Sequence, residues 1–256
     1  YYLAVPGLGD GETDTVVEYI KEQRTQYHKT FKAVLPLAAA DNEGIINFAT
    51  DNIKIAAKTY TTAEFCCRIA GILAGLPLNR SATYYTLPEV ESITESETPD
   101  DDVDNGKLIL INDGTKIKIA RGVNSLTTTT EDKGEDFKKI KIIEAVDMIR
   151  DDIRATFEDE FVGKVENSYD NKIVFIAAVN KYFKDLANRG VLYDKYDNKA
   201  EIDIDETRQW LSKTRDVSAW DDEKIKTANT GTNVFVRASI QIQDAIEDLK
   251  FGIYIG

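Results

Sequence analysis

The stretch FKAVLPLAAADNEGIINF at residues 31–48 contains two short apolar runs, 31–35 and 45–48, separated by a polar turn. Short runs rich in Val, Ile, Leu and Phe and bounded by Gly, Asn and Asp are typical of buried strands. A third strand is predicted over 53–57. Because predicted helices alternate with these strands along the chain, the order suggests α/β layering with parallel pairing.

One helix is predicted before these strands in the sequence and another after them. Thr13 is expected to cap a helix over Asp14–His28, because acids concentrate at its start and its apolar residues recur at helical spacing. A second helix is expected to begin at Thr61 or Thr62 and to end near Gly75. Helices alternating with strands in this order support the α/β interpretation.

The middle of the chain is predicted to be less regular. A strand is expected over Ala82–Thr86. Residues 89–104 contain eight acids and no basic residue, which predicts an exposed loop or insertion. Residues 107–111 and 115–121 alternate apolar and polar side chains around Asn112-Asp113-Gly114, which predicts a β-hairpin.

A polar linker at 127–134 is interpreted as the boundary between two domains, 1–133 and 134–256. Beyond it, two amphipathic helices are expected to pack as an antiparallel pair, with Gly163 and Gly190 near their C-termini. Their predicted apolar faces consist of Ile142, Val146, Ile149, Ile153, Phe157 and Phe161 on the first helix, and of Ile173, Ile176, Ala177, Phe183 and Leu186 on the second.

The last part of the chain is predicted to contain a short helix and two strands. The helix is expected over Asp205–Ser212 and carries Trp210. A strand over 233–243, an acidic helical turn at 244–248 and a closing strand over 249–255 follow. A closing strand of this kind can pair with the sheet of a neighbouring molecule, which suggests a protein that links copies of itself.

Composition excludes several classes of function. The chain has 256 residues, of which 42% are hydrophobic, so it can bury a substantial core. A net charge of −13 argues against binding to nucleic acid, and no apolar run approaches the roughly 20 residues that span a bilayer. Cys66 and Cys67 are adjacent and are predicted to be free thiols in a reducing compartment. The chain opens on Tyr1 without a signal-peptide pattern, and it is interpreted as a piece of a longer protein.

No catalytic or cofactor motif is identified. The single histidine, His28, is interpreted as a helix C-terminal residue and not as a catalytic base. Asp100–Asp104 before Gly106 does not match a calcium loop in any register, so a solvated acidic loop is predicted. The run Gly7–Gly11 lacks the spacing and the lysine of a phosphate loop and is interpreted as a flexible turn.

Carboxylate pairs are also predicted to be solvated. Asp147 with Asp151, and Glu158 with its two acidic neighbours, lie on a helix whose apolar face serves the core. One histidine and two adjacent cysteines make a poor metal site. Catalytic, cofactor-binding and metal-binding residues are therefore predicted to be absent, and no cofactor is expected.

Several stretches, in this order, resemble the sheath proteins of contractile phage tails, R-type bacteriocins and related tail-like particles. They are KAVL at 32–35, ADNEGIINF at 40–48, RIAGILAG at 68–75, SATY at 81–84, RGVNSL at 121–126, DMIRDDI at 147–153, FVGK at 161–164 and AIEDL at 245–249. The resemblance spans nearly the whole chain, although no single motif is diagnostic.

The resemblance implies a fold and a structural, non-enzymatic function. Residues 1–133 would form a subtilisin-like α/β domain that lacks its N-terminal arm, and 134–256 a smaller α+β C-terminal sheath domain. Family subunits stack as hexameric rings around a tail tube, between a baseplate and a tail terminator protein, and contract to drive the tube through a cell envelope. Such particles are made in the bacterial cytoplasm. Because the expected N-terminal arm is missing, a monomeric state of this chain is an open alternative.

The resemblance also assigns an inter-subunit linking strand. It consists of Leu249, Lys250, Phe251, Gly252, Ile253, Tyr254 and Ile255. Phe251, Ile253 and Ile255 are expected on one face and Tyr254 on the other. The alternative is an ordinary last strand in the sheet of its own domain.

Two other functions remain open at the level of sequence. One is a hydrolase that uses carboxylates on an α/β scaffold, which predicts a cleft with a strongly perturbed acid. The other is a binding module that does not polymerise, which predicts a monomer.

Overall fold

The computed structural model describes residues 1–9, 11–131 and 133–255. These residues form two compact units: unit 1 comprises Tyr1–Asp147 with Asp244–Gly256, and unit 2 comprises Met148–Gln243. The boundary predicted between residues 133 and 134 separates the two domains expected from the family resemblance. It is not the same division as the one between the two compact units, and it stays a prediction. Asp10, part of the glycine-rich run considered above, lies outside the described residues.

Unit 1 is built on a parallel sheet with two antiparallel hairpins and several helices. Its elements are β1 (Tyr2–Leu3), α1 (Glu12–Thr25), β2 (Lys32–Pro36), β3 (Ile45–Phe48), β4 (Ile53–Ile55), β5 (Lys58–Tyr60), α2 (Thr62–Gly75), α3 (Pro99–Asp104), β6 (Lys107–Leu108), β7 (Leu110–Asn112), β8 (Ile117–Ile119) and a 3₁₀ turn over Glu135–Lys138. A long helix, α4 (Ile140–Glu160), begins in unit 1, and the division between the units falls within it.

The parallel sheet has the order β1-β2-β3-β6, which confirms the predicted parallel pairing for β2 and β3. The third predicted strand is wrong in its pairing, since β4 forms an antiparallel hairpin with β5. Side chains alternate across it as the strand period requires. Val34, Ile46 and Phe48 pack with α2 on one face, while Ala33 and Leu35 pack with α1 on the other. The sheet is therefore covered on both faces, as expected for parallel strands.

Local signals explain how the two flanking helices begin. Thr61 caps α2 with a capping box, because its hydroxyl accepts from the Glu64 N–H and its own N–H donates to the Glu64 carboxylate. Helix α1 begins earlier than predicted, after Gly11 in a left-handed conformation, and ends at Thr25. His28 lies beyond that end at φ 53°, so its placement inside the helix is wrong.

The middle of unit 1 differs from the prediction in two places. Ala82–Thr86 is not a strand and contributes only an isolated bridge from Thr86 to Lys118. The predicted hairpin exists as β7 and β8, but Lys107 and Leu108 leave it and join the parallel sheet as β6. The acidic segment 89–104 is mostly exposed, and its end forms α3.

A buried ionic cluster ties the start of α4 to α1 and β2. The Asp147 carboxylate accepts from Arg24 Nη1 at 2.9 Å and Nη2 at 3.1 Å, and from Lys32 Nζ at 2.9 Å. Glu144 lies 3.1 Å from Lys32 Nζ, and Glu43 pairs with Arg24 from the other side. Asp147 is only 3% exposed, so the prediction that it is solvated is wrong. Its two cationic partners come from segments more than 100 residues away.

Unit 2 contains the remainder of α4 and five further elements. These are α5 (Tyr169–Asn188), β9 (Lys199–Ile202), α6 (Ile204–Ser212), α7 (Asp222–Thr227) and β10 (Val236–Ser239). Strands β9 and β10 form a two-stranded antiparallel sheet. Leu211, Val217 and Ile225 form a small core between α6 and α7.

The contacts between α4 and α5 run in opposite order, which confirms their antiparallel packing. Phe157 meets Phe175 with ring centroids 5.1 Å apart, and Asp152 bonds to Tyr182. Helix α5 ends in the predicted glycine cap, with Gly190 at φ 70°.

The buried face of α5 is rotated from the predicted one. Ile173 and Ala177 are exposed, and the buried positions are Lys172, Phe175, Ile176, Val179, Phe183 and Leu186. A lysine at a core position weakens the apolar periodicity from which the face was predicted.

We predict that Asp147→Ala destabilises the chain by about 3–5 kcal/mol, because it leaves Arg24 and Lys32 buried with fewer negative partners. Urea unfolding followed by circular dichroism measures this loss. Glu158→Ala, at the exposed C-terminal end of α4, is the matched control and should change stability little. Equal losses for both variants would contradict a stabilising role for the cluster.

Candidate functional site

The predicted linking segment, Leu249–Ile255, is exposed and forms no strand in its own unit. Phe251 is 79%, Ile253 75%, Tyr254 97% and Ile255 94% exposed. Within the described part of the chain, no sheet and no hydrogen bond includes these seven residues. The alternative of an ordinary last strand in the domain's own sheet is therefore wrong. The helical turn predicted at 244–248 is also absent, since these residues have no regular structure.

Ion pairs within unit 1 hold the residues that immediately precede this segment. Lys139 pairs with Asp244, and Arg121 pairs with Glu247 at 3.1 Å and with Asp248. Burial disfavours the charge of Lys139, but its bonds to Asp244 and Asp136 outweigh burial and raise its pKa. The chain is thus held by ion pairs up to Asp248, whereas the segment Leu249–Ile255 that follows has no ion pair or hydrogen bond in the described part of the chain.

The sheet of unit 2 has one closed edge and one open edge. On the outer side of β9, the Ala200 N–H donates to Asn180 Oδ1 at 2.7 Å, and the Ala200 carbonyl accepts from Asn180 Nδ2 at 3.2 Å. The amide side chain of Asn180 therefore takes the place of a neighbouring strand at this position. A further strand cannot pair with β9 there unless Asn180 moves away.

The opposite edge, along β10, offers unpaired backbone groups. Ala238 stands opposite Ala200, whose N–H and C=O point away from β10, so this is a non-hydrogen-bonded pair of the ladder. The N–H and C=O of Ala238, and by the same alternation those of Val236, point outward from the sheet. No partner for these groups exists among residues 1–9, 11–131 and 133–255. An extended segment could pair with this edge.

Other parts of the described chain do not form a catalytic or metal site. No group of three or more His, Cys, Asp or Glu side chains there is arranged to hold a metal ion. Burial raises the pKa of the Cys66 thiol to about 12, which makes it a poor nucleophile, and Cys67 is exposed. Within the same residues, no helix has both the length and the apolar composition needed to cross a bilayer.

A cavity of about 610 Å³ lies at the carboxyl end of β2 and includes Gly9 and Gly11. Parallel sheets often bind ligands at this edge. Among the residues that the structure describes, its charged lining consists of Asp14, Glu18, Asp51 and a single base, Lys21, which does not favour a phosphate. The glycine-rich run therefore does not act as a phosphate loop in the described geometry.

Comparison with known proteins points to one kind of protein. Residues 132–256 match the family model described as phage tail sheath C-terminal domain. Over 255 residues the chain is 38% identical to the tail sheath protein of Clostridium phage phiCD119, covering 98% of this chain and 71% of the relative.

Solved structures show the same fold at lower identity. The sheath tail protein of Desulfitobacterium hafniense matches with a TM-score of 0.71 and 22% identity, over 78% of this chain and 49% of that one. The helical sheath of the anti-feeding prophage in its contracted state matches with a TM-score of 0.63 and 13% identity, over all of this chain and 69% of that one. The chain thus spans about half the length of the Desulfitobacterium protein.

We predict that limited trypsin digestion cuts first after Lys250, because the backbone around it is exposed and unpaired. Mass spectrometry should then show loss of residues 251–256 while the rest of the chain stays intact. Lys181, within α5, serves as the internal control and should be cut late. If trypsin cuts at sites within residues 1–248 earlier than it cuts after Lys250, the segment is not the least protected part of the chain and the prediction is wrong.

Proposed function

The chain belongs to the phage tail sheath protein family, and we propose that it links to neighbouring copies by lending its segment Leu249–Ile255 to their sheets. Its role is structural: the relatives are tail sheath proteins and not enzymes. A carboxylate-dependent hydrolase and a non-polymerising binding module are therefore less well supported than a sheath subunit.

The observation that carries this proposal is an open strand edge on the same chain as an exposed segment without a backbone partner. The outward groups of Val236 and Ala238 need donors and acceptors, and the backbone of Leu249–Ile255 supplies them. Because both are free in a single molecule, each copy can give one segment and receive another. When the copy that receives the segment differs from the copy that gives one, this head-to-tail exchange does not close on a dimer and generates rings or helical polymers.

The side chains of the segment fit a strand with two different faces. Phe251, Ile253 and Ile255 alternate with Gly252 and Tyr254, so pairing places the three apolar side chains on one face. A shift of one residue would exchange the two faces. The register of the exchanged strand is therefore specified by its own sequence.

We extend the proposal to the whole particle on the basis of family membership. Copies would stack as hexameric rings around a tail tube, between a baseplate and a tail terminator protein. Contraction would come from repacking of subunits that stay linked by exchanged strands and would need no nucleotide. The anti-feeding prophage sheath, solved in a contracted state, has a similar fold and supports this extension. The chain would be made in the bacterial cytoplasm and act in the tail of a virion or tail-like particle, a bacteriocin included.

The finer description of the two domains belongs to the same proposal. The parallel sheet with α1 and α2 on opposite faces is compatible with a subtilisin-like domain over 1–133. The family model covers 132–256, which supports a C-terminal sheath domain over 134–256. The term subtilisin-like would describe architecture only, because fold alone does not imply protease chemistry.

We predict that deleting Lys250–Gly256 from the full-length protein abolishes polymerisation and leaves a folded monomer, because residues 250–255 are exposed and take part in no hydrogen bond or sheet of the described part. Sedimentation velocity and negative-stain electron microscopy measure assembly, and circular dichroism measures folding. Normal sheaths formed by the deletion variant would refute the linking role.

A second variant tests the accepting edge. Ala238→Pro removes an N–H that points away from β9, so the two-stranded sheet should survive while the incoming strand loses a hydrogen bond and meets the proline ring. We expect polymerisation to fall strongly. Ala238→Val keeps the N–H and is the matched control, with assembly expected near that of the unaltered protein. Equal assembly of both variants would place the accepting edge elsewhere.

A further inference from the structure

Unit 2 contains a cavity of about 410 Å³ beside the start of β10. Three phenylalanines form its apolar wall: the ring of Phe175 lies edge-on to Phe157 and Phe161, with centroid distances of 5.1 Å in both cases. Val162 and Val165 line the same cavity and are 55% and 46% exposed. A wall of this kind favours an aromatic side chain, since edge-to-face contacts add to the free energy of burial.

The opposite wall is polar and incompletely bonded. Lys172 Nζ donates to Thr230 Oγ1 at 3.2 Å and to the Ala228 carbonyl at 3.5 Å, and within the described residues it has no carboxylate partner. An ammonium group has three donors, so one remains. Asn167 Nδ2 bonds to the same Thr230 hydroxyl and to the carbonyls of Gly231 and Asn233.

These three acceptors fix the orientation of the Asn167 amide. Its oxygen is buried and has no hydrogen-bond partner in the part of the chain that the structure describes. Lys172 Nζ and Asn167 Nδ2 bond to the same Thr230 hydroxyl, so the spare donor and the spare acceptor belong to side chains that share one partner. A buried acceptor without a partner costs about 1–3 kcal/mol, which an incoming hydroxyl group could recover.

We propose that this cavity receives the side chain of Tyr254 from a second copy of the chain. Tyrosine combines an aromatic ring, for the three phenylalanines, with a hydroxyl group that both accepts and donates. Its oxygen accepts from Lys172, and its proton turns toward Asn167 Oδ1. Because that oxygen is closed to solvent, the turn at 231–234 shifts slightly as the ring enters.

One register of the exchanged strand brings Tyr254 to the cavity. An antiparallel segment that pairs Lys250 with Ala238 and Gly252 with Val236 places Tyr254 beside Val234, which lines the cavity. Seven extended residues span about 23 Å and the four of β10 about 13 Å, so the end of the segment passes the strand. Tyr254 is 97% exposed in its own molecule and is available for this contact.

This inference rests on the proposed strand exchange, and binding of a peptide separates the two. The receptor is the chain ending at Asp248, which keeps every hydrogen bond and ion pair described for units 1 and 2. The probes are fluorescein-labelled peptides of residues 249–256, with either Tyr or Phe at position 254. Fluorescence anisotropy measures the dissociation constants.

We expect the Tyr254→Phe peptide to bind the unaltered receptor about tenfold more weakly, because it lacks the hydroxyl that bonds to a charged group. The Lys172→Met receptor should show a much smaller difference between the two peptides, because only the bond to Asn167 Oδ1 remains. Lys181→Met, which changes an exposed lysine on the same helix, is the control and should preserve the tenfold difference.

The outcomes distinguish the two proposals. Equal binding of the two peptides to the unaltered receptor overturns the Tyr254 assignment and leaves strand exchange in place. Failure of both peptides to bind overturns strand exchange itself. A tenfold difference that persists in the Lys172→Met receptor, with its folding checked by circular dichroism, also overturns the assignment. The comparison of the two peptides needs no receptor variant, so a folding defect in that variant does not prevent the test.

Discussion

Backbone hydrogen bonding is the constraint on which this structure depends. Every N–H and C=O of a strand needs a partner, and water is the weaker choice wherever apolar side chains are to be buried at the same time. In unit 2 the Asn180 amide satisfies one edge of the sheet, and the edge of β10 is left open. In unit 1 the last residues carry strand-like alternation without a strand to pair with. A single chain thus contains both an open strand edge, at β10, and an unpaired segment that could pair with such an edge.

The ion pairs before the segment give it a defined point of departure. Arg121 and Lys139 hold the acids at 244–248 to unit 1, so only the following seven residues are left to search for a partner. Burial raises the pKa of the Asp244 carboxyl, but its bond to Lys139 outweighs burial and lowers it overall. The pair is therefore complete above the ordinary pKa of aspartate, and it weakens only as the pH falls through the lowered value. A short, tethered segment loses less entropy on binding than a long free one.

Much of the fold follows from local signals, whereas the candidate site depends on distant ones. Strands β2 and β3 and the capped start of α2 follow from residues within a few positions of each other. The solvated position predicted for Asp147 followed from the apolar face of its own helix, and it is wrong because the partners Arg24 and Lys32 are remote in sequence and no local pattern indicates them. The alternation over 249–255 predicted a strand, but no local pattern shows that its own unit offers it no edge.

The estimated free energies favour an exchanged strand that binds weakly on its own, while many such strands together hold a polymer. Burying Leu249, Phe251, Ile253, Tyr254 and Ile255 would contribute about 10 kcal/mol at roughly 2 kcal/mol per side chain. Ordering seven residues costs about 10 kcal/mol at 1–2 kcal/mol per residue. The two terms nearly cancel, so the net stability of one exchanged strand depends on a few specific contacts such as the seating of Tyr254. A subunit held by several such links stays in place while any one of them can break and re-form, which is what a polymer that repacks without falling apart requires.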